Sequence, residues 1–280
     1  MKIVISGGRG LVGRFITRAA VEAGHKVTLL GRTPEPGLSF QNASLGAPAD
    51  FSGQDAFIHC AFDHVPGKYR GGEGDDLEGF RQRNEGGSIR WFMEAKAAGV
   101  RRAVFLSSRA VYGDYPPGTT LTETMEPKPD TVYGEAKWVV EMALRDTADT
   151  EFTPVSLRAT GVYGPGKGHK WEGLFADYLA GREIAPRVAT EVHGTDLAAA
   201  ALLCLTGTPP HELNVSDLTL DRHDLLGLVK ETTGATHPLP ARADATKVSA
   251  MDCTRLKALG WIPGGKERLH RDLPALLKTA

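Results

Sequence analysis

The stretch Lys2-Ile-Val-Ile-Ser-Gly-Gly-Arg-Gly-Leu-Val-Gly13 decides the fold of this chain. Its first residues, Lys2 to Ile5, predict a short buried strand. From Leu11 onward the apolar residues recur at the spacing of a helix. A run of glycines between a strand and a helix is the context in which such glycines hold a dinucleotide. The stretch therefore predicts a cofactor site at the first turn of an α/β domain.

Each glycine of this turn has a physical task in such a site. Gly7 can adopt backbone angles that are barred to residues with a Cβ. Gly10 lets the main chain approach a pyrophosphate, and Gly13 lets the helix pack close to the strand. Unpaired N–H groups at the start of the helix then face the phosphates. We therefore assign cofactor binding to residues Gly7, Arg9, Gly10, Leu11, Val12 and Gly13.

Composition and charge exclude several classes of partner. The 280 residues are 41% hydrophobic and 24% charged with a net charge of -1, so we expect neither a nucleic-acid nor a membrane partner. Cys60, Cys204 and Cys253 are odd in number and lack CxxC spacing, which predicts reduced thiols in a cytoplasmic protein. The nine histidines show no metal-ligand spacing, so we expect no metal. A small-molecule substrate is the remaining expectation.

Strand and helix patterns alternate along the chain, with the strictest alternation before residue 166. After the first strand, the patterns predict strands at 26–30, 38–40, 55–61, 102–107 and 154–158, and a last strand at 212–215. They predict helices at 80–98, 132–145, 171–181, 196–206, 221–234 and 254–260, with none between the third and fourth strands. This order predicts an α/β, Rossmann-type doubly wound parallel sheet with a small C-terminal substrate-binding lobe. We assign residues 1–163 to the NAD(P)-binding domain, with 190–216 returning to it, and 164–189 and 217–280 to the lobe.

The end of the second strand indicates which cofactor is preferred. NAD sites usually place a carboxylate there for the ribose 2′-OH, whereas a 2′-phosphate needs cations. This chain has Gly31-Arg32 without an acid, and Arg9 lies inside the glycine turn. Two guanidinium groups suit bidentate recognition of a phosphate, so NADP is favoured over NAD. The alternative is that both arginines are solvated or stack on the adenine.

Two loops carry cations that could meet a substrate. Lys68 and Arg70 lie in a loop predicted over 62–79, past the carboxyl end of a strand, where ligands of open α/β sheets bind. Lys167 and His169 follow a later strand, and with Lys170 they could contact a substrate phosphate. All of these side chains could equally be solvated.

Tyr133-Gly-Glu-Ala-Lys137 is the second motif with chemical content. Residues i and i+4 of a helix share a face, so the phenol and the ammonium point the same way. Tyrosine has an ordinary pKa of about 10, and a neighbouring cation lowers it by favouring the phenolate. Ser108, at the end of a predicted strand, could hydrogen-bond the same substrate oxygen. A Tyr-x-x-x-Lys spacing is common on amphipathic surfaces, and only the glycine turn and the serine give it weight.

Further motifs run from end to end of the chain. Together with the glycine turn and the Tyr133–Lys137 motif, it resembles the extended short-chain dehydrogenases/reductases, the NAD(P)-dependent epimerase/dehydratase family. The matching stretches are Phe57-Ile-His-Cys-Ala61, Arg83-Asn84, Leu106-Ser-Ser-Arg-Ala-Val-Tyr-Gly113, Thr122-Glu123, Leu157-Arg158, Val162-Tyr-Gly-Pro-Gly166, Val192-His193, Asn214-Val-Ser and Leu259-Gly-Trp-Ile-Pro263.

The resemblance implies a role for individual residues. Ser108, three residues before Val-Tyr-Gly, matches the catalytic serine, so that Ser107 is not selected. Tyr133 matches the acid/base tyrosine, and Lys137 matches the lysine that binds the nicotinamide ribose and lowers the pKa of the tyrosine. Asn84 matches a helix asparagine that supports the proton relay, although an ordinary polar helix residue is the alternative. Ala61 joins the expected cofactor site.

The implied activity is that of an NAD(P)-dependent oxidoreductase or epimerase acting on a secondary alcohol of a sugar or nucleotide sugar. Reduction or oxidation of a small carbonyl compound or free sugar is the alternative, because the lobe is short for a nucleotide-sugar enzyme. A non-catalytic NAD(P)-binding regulator is a third possibility. The resemblance also implies a homodimer that pairs the 84–98 helix with the helix carrying Trp138, Val139 and Met142. Glu123 recurs in the family without a role that chemistry assigns.

Overall fold

Seven parallel strands form the main sheet of the protein in a computed structural model that describes residues 1–65, 68 and 71–278. Its strands are β1 (Lys2–Ser6), β2 (Lys26–Gly31), β3 (Ser39–Asn42), β4 (Ala56–His59), β5 (Arg102–Ser108), β6 (Thr153–Ala159) and β9 (Glu212–Val215). They lie in the order β3-β2-β1-β4-β5-β6-β9, so the strand order reverses between β1 and β4. This is the Rossmann order, and it confirms the predicted α/β fold.

Helices cover both faces of this sheet. In the part of the chain that the structure describes, the α-helices are α1 (Gly13–Glu22), α2 (Leu77–Arg81), α3 (Gly87–Ala97), α4 (Val132–Thr147), α5 (Glu172–Leu179), α6 (Gly194–Leu203), α7 (Arg222–Thr233), α8 (Thr254–Ala258) and α9 (Gly265–Leu277). One core packs Phe15 of α1 and Leu197 of α6 against Ile3 and Ile5 of β1. The other packs α3 and α4 against the opposite face, where Val4 of β1 is buried. Successive β1 residues thus enter opposite cores, as a doubly covered sheet requires.

A second sheet of three strands forms the centre of the C-terminal lobe. Its strands are β7 (Gly161–Tyr163), β8 (Val188–His193) and β10 (Leu218–Asp221), in the order β10-β8-β7. Helices α5, α7 and α9 enclose an apolar core that includes Phe175, Leu226 and Leu273. Of the segment 190–216, α6 and β9 lie with the main sheet, whereas β8 belongs to the small one.

The structure corrects three of the sequence-based assignments. The strand at 212–215 is not the last, because β10 follows it after two residues. Helix α9 was not predicted, since Pro274 lies inside it and proline normally marks a helix boundary. The helix expected over 80–98 begins at Leu77 and contains a π-helical turn, Gln82–Gly86, between α2 and α3. An extra residue in that turn shifts the helix face that follows it.

The three cysteines all lie in the described part of the chain and form no disulfide. Cys204 and Cys253 are buried, and Cys60 is half-buried at the end of β4. Among the described residues, no helix is long and apolar enough to cross a membrane, and no group of three or more potential ligands is placed to hold a metal ion.

Candidate active site

The glycine turn lies against the residue that follows β4. Gly7 has φ +65°, and a Cβ there would lie 2.6 Å from the backbone nitrogen of Ala61. A Cβ on Gly13 would lie only 2.2 Å from the Gly7 oxygen, so α1 can start at this place only with glycine. The two positions thus need glycine for the close packing that the sequence predicted. Gly10 is exposed, and the Gly10 N–H donates to the Gly7 oxygen at 2.9 Å.

The start of α1 suits an anionic ligand. Val12 occupies the N-cap position, and no side chain in the described part of the chain caps the helix there. The first turn of α1 contains no acidic residue, so its N–H groups and dipole meet no negative charge from its own sequence. Leu11 is 55% exposed beside this turn and offers an apolar surface next to the N–H groups. These residues fit a dinucleotide.

Arg9 and Arg32 lie near the end of β2, and Arg9 is paired with a carboxylate there. The Nε atom of Arg9 forms an ion pair of 2.8 Å with Glu35, and both side chains are about half-exposed. Arg32 is exposed immediately after β2. Exposed pairs of this kind contribute little free energy, so a phosphate could exchange for the Glu35 carboxylate.

A buried chain of hydrogen bonds joins the glycine turn to the helix behind it. The amide of Ala61 donates to Ser6 Oγ (3.4 Å), and Ser6 Oγ contacts His59 Nδ1. The other nitrogen of His59, Nε2, lies 2.9 Å from Ser88 Oγ, which itself donates to the Asn84 carbonyl oxygen. Because the Ser88 hydroxyl donates its hydrogen to the Asn84 oxygen, His59 must donate to Ser88 from Nε2 and accept from Ser6 at Nδ1.

Asn84 ends this chain and holds the loop after β4. It lies in the π-helical turn, is almost fully buried, and accepts from the amide of Asp63 at 2.7 Å. Its Nδ2 donates to the carbonyl oxygens of Asp63 (2.7 Å) and Phe80 (3.0 Å). All of these contacts are to backbone atoms, so the side chain fixes the path of the loop that passes the candidate site.

Tyr133 and Lys137 share one face of α4, as their spacing predicted. The Nζ atom of Lys137 lies 5.7 Å from the centre of the Tyr133 ring, and it donates to the Leu106 carbonyl oxygen at 2.8 Å. Burial lowers the pKa of Lys137 to about 7, an effect that the carboxylate of Glu141 partly opposes. The site around Lys137 is dry, so the influence of the protonated form on a neighbouring phenol is strong.

Ser107 and Ser108 point to different surroundings, as successive residues of a strand do. Ser107 is buried and donates to Glu141. Ser108 is half-buried at the end of β5 and accepts from the Ala110 amide at 3.2 Å. The turn that follows packs on α4, because a Cβ on Gly134 would lie 2.5 Å from the Ala110 oxygen. Ser108 is thus brought to the end of α4 that carries Tyr133.

A buried ion pair behind the two serines was not among the predicted site residues. Arg158 donates to Glu141 at 2.7 Å, and both side chains are almost completely buried. Arg158 also donates to Tyr112 (3.2 Å), whose hydroxyl donates to Asn214 at 2.7 Å. Glu141 follows Lys137 by four residues, so helical spacing was the signal that could have found it.

Glu123 completes this network from the loop between β5 and α4. Its carboxylate accepts from the backbone amide of Asn214 at 3.0 Å, and Asn214 donates to the Leu121 oxygen at 3.0 Å. Glu123 therefore fastens that loop to β9. This gives a structural role to a residue that sequence reasoning left unassigned.

The cationic residues proposed to contact substrate have different surroundings. Lys68 is exposed, and Arg70 lies outside the described residues. Lys167 is also exposed, and its carbonyl oxygen accepts from Arg14 at 3.1 Å. His169, expected to meet a substrate phosphate, is buried with both ring nitrogens in hydrogen bonds, to the Leu276 oxygen (3.1 Å) and the Trp171 amide (3.2 Å). In this arrangement neither nitrogen of His169 is available to a substrate.

Comparison with known proteins agrees with this geometry. Residues 3–216 match the NAD dependent epimerase/dehydratase family. A UDP-glucose 4-epimerase of Streptomyces lividans is 28% identical over 313 aligned positions, which cover 94% of this chain and 91% of that protein.

Two solved structures share the fold. The UDP-glucose 4-epimerase of Thermotoga maritima with UDP-glucose has a TM-score of 0.82 at 22% identity, covering 100% of this chain and 98% of that one. The UDP-glucose 4-epimerase of Thermus thermophilus in complex with NAD has a TM-score of 0.81 at 23% identity, covering 100% of both chains. With its glycine turn, Tyr133 and Lys137 in these positions, the chain belongs to the NAD-dependent epimerase/dehydratase family of extended short-chain dehydrogenases/reductases.

Proposed function

We propose that this protein is an NAD(P)-dependent epimerase or oxidoreductase acting on a secondary alcohol of a sugar or nucleotide sugar. The observation that carries the proposal is the placement of the buried Lys137 ammonium 5.7 Å from the Tyr133 ring, at the strand end that carries Ser108. The substrate class is supported by the UDP-glucose 4-epimerases that resemble the chain over nearly its full length.

The chemistry requires a proton to leave the substrate hydroxyl as hydride leaves its carbon. A bound nicotinamide supplies the hydride acceptor and, in an epimerase, returns the hydride to the other face of the same carbon. Tyr133 takes the hydroxyl proton in our proposal, and Ser108 holds the same oxygen by a hydrogen bond. In its protonated form, Lys137 favours the phenolate form of Tyr133, which moves proton transfer toward neutral pH.

We further propose that the cofactor site prefers NADP. Arg9 and Arg32 both lie where the ribose 2′-position is expected, and Glu35 holds only one of them through an exposed pair. Replacing Arg32 by Ala should weaken NADP binding several-fold and leave NAD binding nearly unchanged, measured by cofactor fluorescence. An unchanged ratio of the two dissociation constants would refute the preference.

The lobe built on β7, β8 and β10 is our proposed substrate-binding unit, and residues 1–160 with α6 and β9 form the proposed cofactor domain. The boundary predicted at residue 163 moves to 160, because β7 (Gly161–Tyr163) pairs with β8 in the small sheet. We also propose a homodimer formed by α3 and α4. Met142 is exposed on α4, beside the half-buried Trp138 and Val139. Light scattering should then give twice the 30.0 kDa mass of one chain, and a monomer mass would contradict it.

The decisive test of the function compares the wild type with Tyr133→Phe on a panel of UDP-sugars, free sugars and small carbonyl compounds. We expect the variant to lose turnover by at least about a hundred-fold, since it lacks the proton acceptor. Cofactor binding should persist. An epimerase interconverts UDP-sugars without accumulating reduced cofactor, whereas net accumulation would assign a dehydrogenase. Bound cofactor without turnover on any member of the panel would instead favour a non-catalytic regulator.

A further inference from the structure

Phe62 lies three residues beyond the end of β4 and contacts both members of the Tyr133–Lys137 pair. Its ring lies edge to face with that of Tyr133, with 5.0 Å between centroids and an interplanar angle of 78°. The Nζ atom of Lys137 lies 4.4 Å from the centroid of the same ring. Phe62 is thus closer to the ammonium than Tyr133 is.

A second aromatic ring completes the surroundings of the ammonium. Phe105 of β5 lies 4.7 Å from Lys137 Nζ, and the Leu106 carbonyl oxygen accepts its hydrogen bond. The cation therefore contacts two phenylalanine rings. An aromatic face attracts a cation electrostatically, while the same ring excludes the water that would otherwise solvate it. These two effects act in opposite directions on the charge of Lys137.

Phe62 itself is held in place by its neighbours. Phe80 packs edge to face against it at 5.6 Å, and Asn84 fixes the backbone of Asp63 next to it. The ring is therefore fixed by the same loop that passes the candidate site, and its position does not depend on Tyr133 alone.

We propose that Phe62 is a positioning residue, which seats the Tyr133 ring by its edge and both shields and attracts the Lys137 ammonium by its face. The inference rests on the proposed roles of Tyr133 and Lys137. Within the described ranges, the titratable groups facing the ammonium besides Tyr133 are Cys60 and His59 at the end of β4 and Glu141 on α4 itself. Phe62 differs from these groups because its ring is uncharged at every pH.

The two effects of the ring can be separated with two substitutions. Phe62→Leu keeps an apolar side chain over the ammonium but removes the aromatic face, so the titration midpoint of Lys137 should fall by about half a pH unit to one unit. Phe62→Ala admits water, so the midpoint should rise toward the ordinary lysine value. The measurement is NMR titration of the protein carrying ¹³C-labelled lysine, with the Lys137 resonance identified from its loss in Lys137→Met.

The matched control is Phe51→Leu, because Phe51 is a buried aromatic that packs on Phe57 in the main core. It should leave the Lys137 midpoint unchanged although it removes the same atoms. If Phe62→Leu leaves the midpoint unchanged or raises it, or if Phe51→Leu shifts it equally, Phe62 is a packing residue only and the inference is wrong. The Leu variant decides the question even if the Ala variant fails to fold. No turnover is measured, so this test can fail while the proposed function stands.

Discussion

The Nζ atom of Lys137 donates to the main-chain oxygen of Leu106 at 2.8 Å, which joins α4 to β5 next to Ser108. A lysine that is fully enclosed in this way cannot exchange protons with the same ease as an exposed one. The contact therefore fixes Lys137 next to Ser108, and the protonation of Lys137 affects the free energy of unfolding.

The first prediction concerns how stability depends on pH. Burial lowers the pKa of Lys137 from 10.5 to about 7, so between these values the unfolded chain binds a proton that the folded chain does not. The contribution of Lys137 to stability should therefore rise with pH across this window, by up to about 1.4 kcal/mol per pH unit. Urea unfolding of the wild type and Lys137→Met from pH 7 to 9.5 measures it. A pH-independent difference between the two would contradict the prediction.

The second prediction concerns the buried pair of Glu141 and Arg158. Although burial opposes its charge, the Glu141 carboxylate holds the pKa of Arg158 above its usual value. Glu141→Gln should cost about 3–5 kcal/mol of unfolding free energy, because it leaves a buried guanidinium without its counter-charge. The double variant Glu141→Leu, Arg158→Met should lose less unfolding free energy than the sum of the losses in the single variants Glu141→Leu and Arg158→Met. Strict additivity in urea unfolding would show that the two charges are not coupled.

A third prediction tests the glycine turn. Gly13→Ala places a Cβ only 2.2 Å from the Gly7 oxygen, so it should displace the turn and reduce cofactor affinity by more than about ten-fold. Gly173→Ala is the control, since among the described residues nothing lies within 4 Å of its added Cβ, and it should stabilise α5 by a few tenths to about 1 kcal/mol. Calorimetric titration with the cofactor distinguishes them. Equal affinity in the two variants would overturn the role given to Gly13.

The fourth prediction is that the His59 ring remains neutral in the folded protein at any pH above about 4. Burial, with a smaller effect of the Lys137 charge, lowers its pKa from 6.5 to about 3. Because the unfolded chain takes up this proton first, stability should fall as the pH drops from 6.5 toward 3. Proton–nitrogen NMR should show the tautomer with hydrogen on Nε2. A ring that titrates near pH 6, or carries its hydrogen on Nδ1, would contradict the hydrogen-bond chain.

Local sequence was sufficient where a feature depends on residues close in the chain. The glycine turn and the shared face of Tyr133 and Lys137 follow from spacing within one turn and one helix, and the structure has both. Ser107 and Ser108 point to different sides for the same local reason.

The remaining features depend on contacts between distant segments. Phe62 meets Lys137 only because β4 lies beside β5 in the sheet, and a lone aromatic after a strand carries no signal of that contact. Strand β10 is stabilised by pairing with β8, as Asp221 opposite Val188 shows. Helix α9 is not predicted because it contains Pro274. The Leu276 oxygen of this helix is hydrogen-bonded to His169, the side chain that the sequence had suggested for substrate binding.

The chain passes between its two sheets through very short connections. Only Thr160 separates β6 from β7, two residues separate β9 from β10, and β8 runs directly into α6. At these three points the connections are too short to act as hinges. Because the small sheet is assembled from separate stretches of the chain, no single contiguous cassette carries it, and an engineer who wants to change it must rebuild it in place, side chain by side chain.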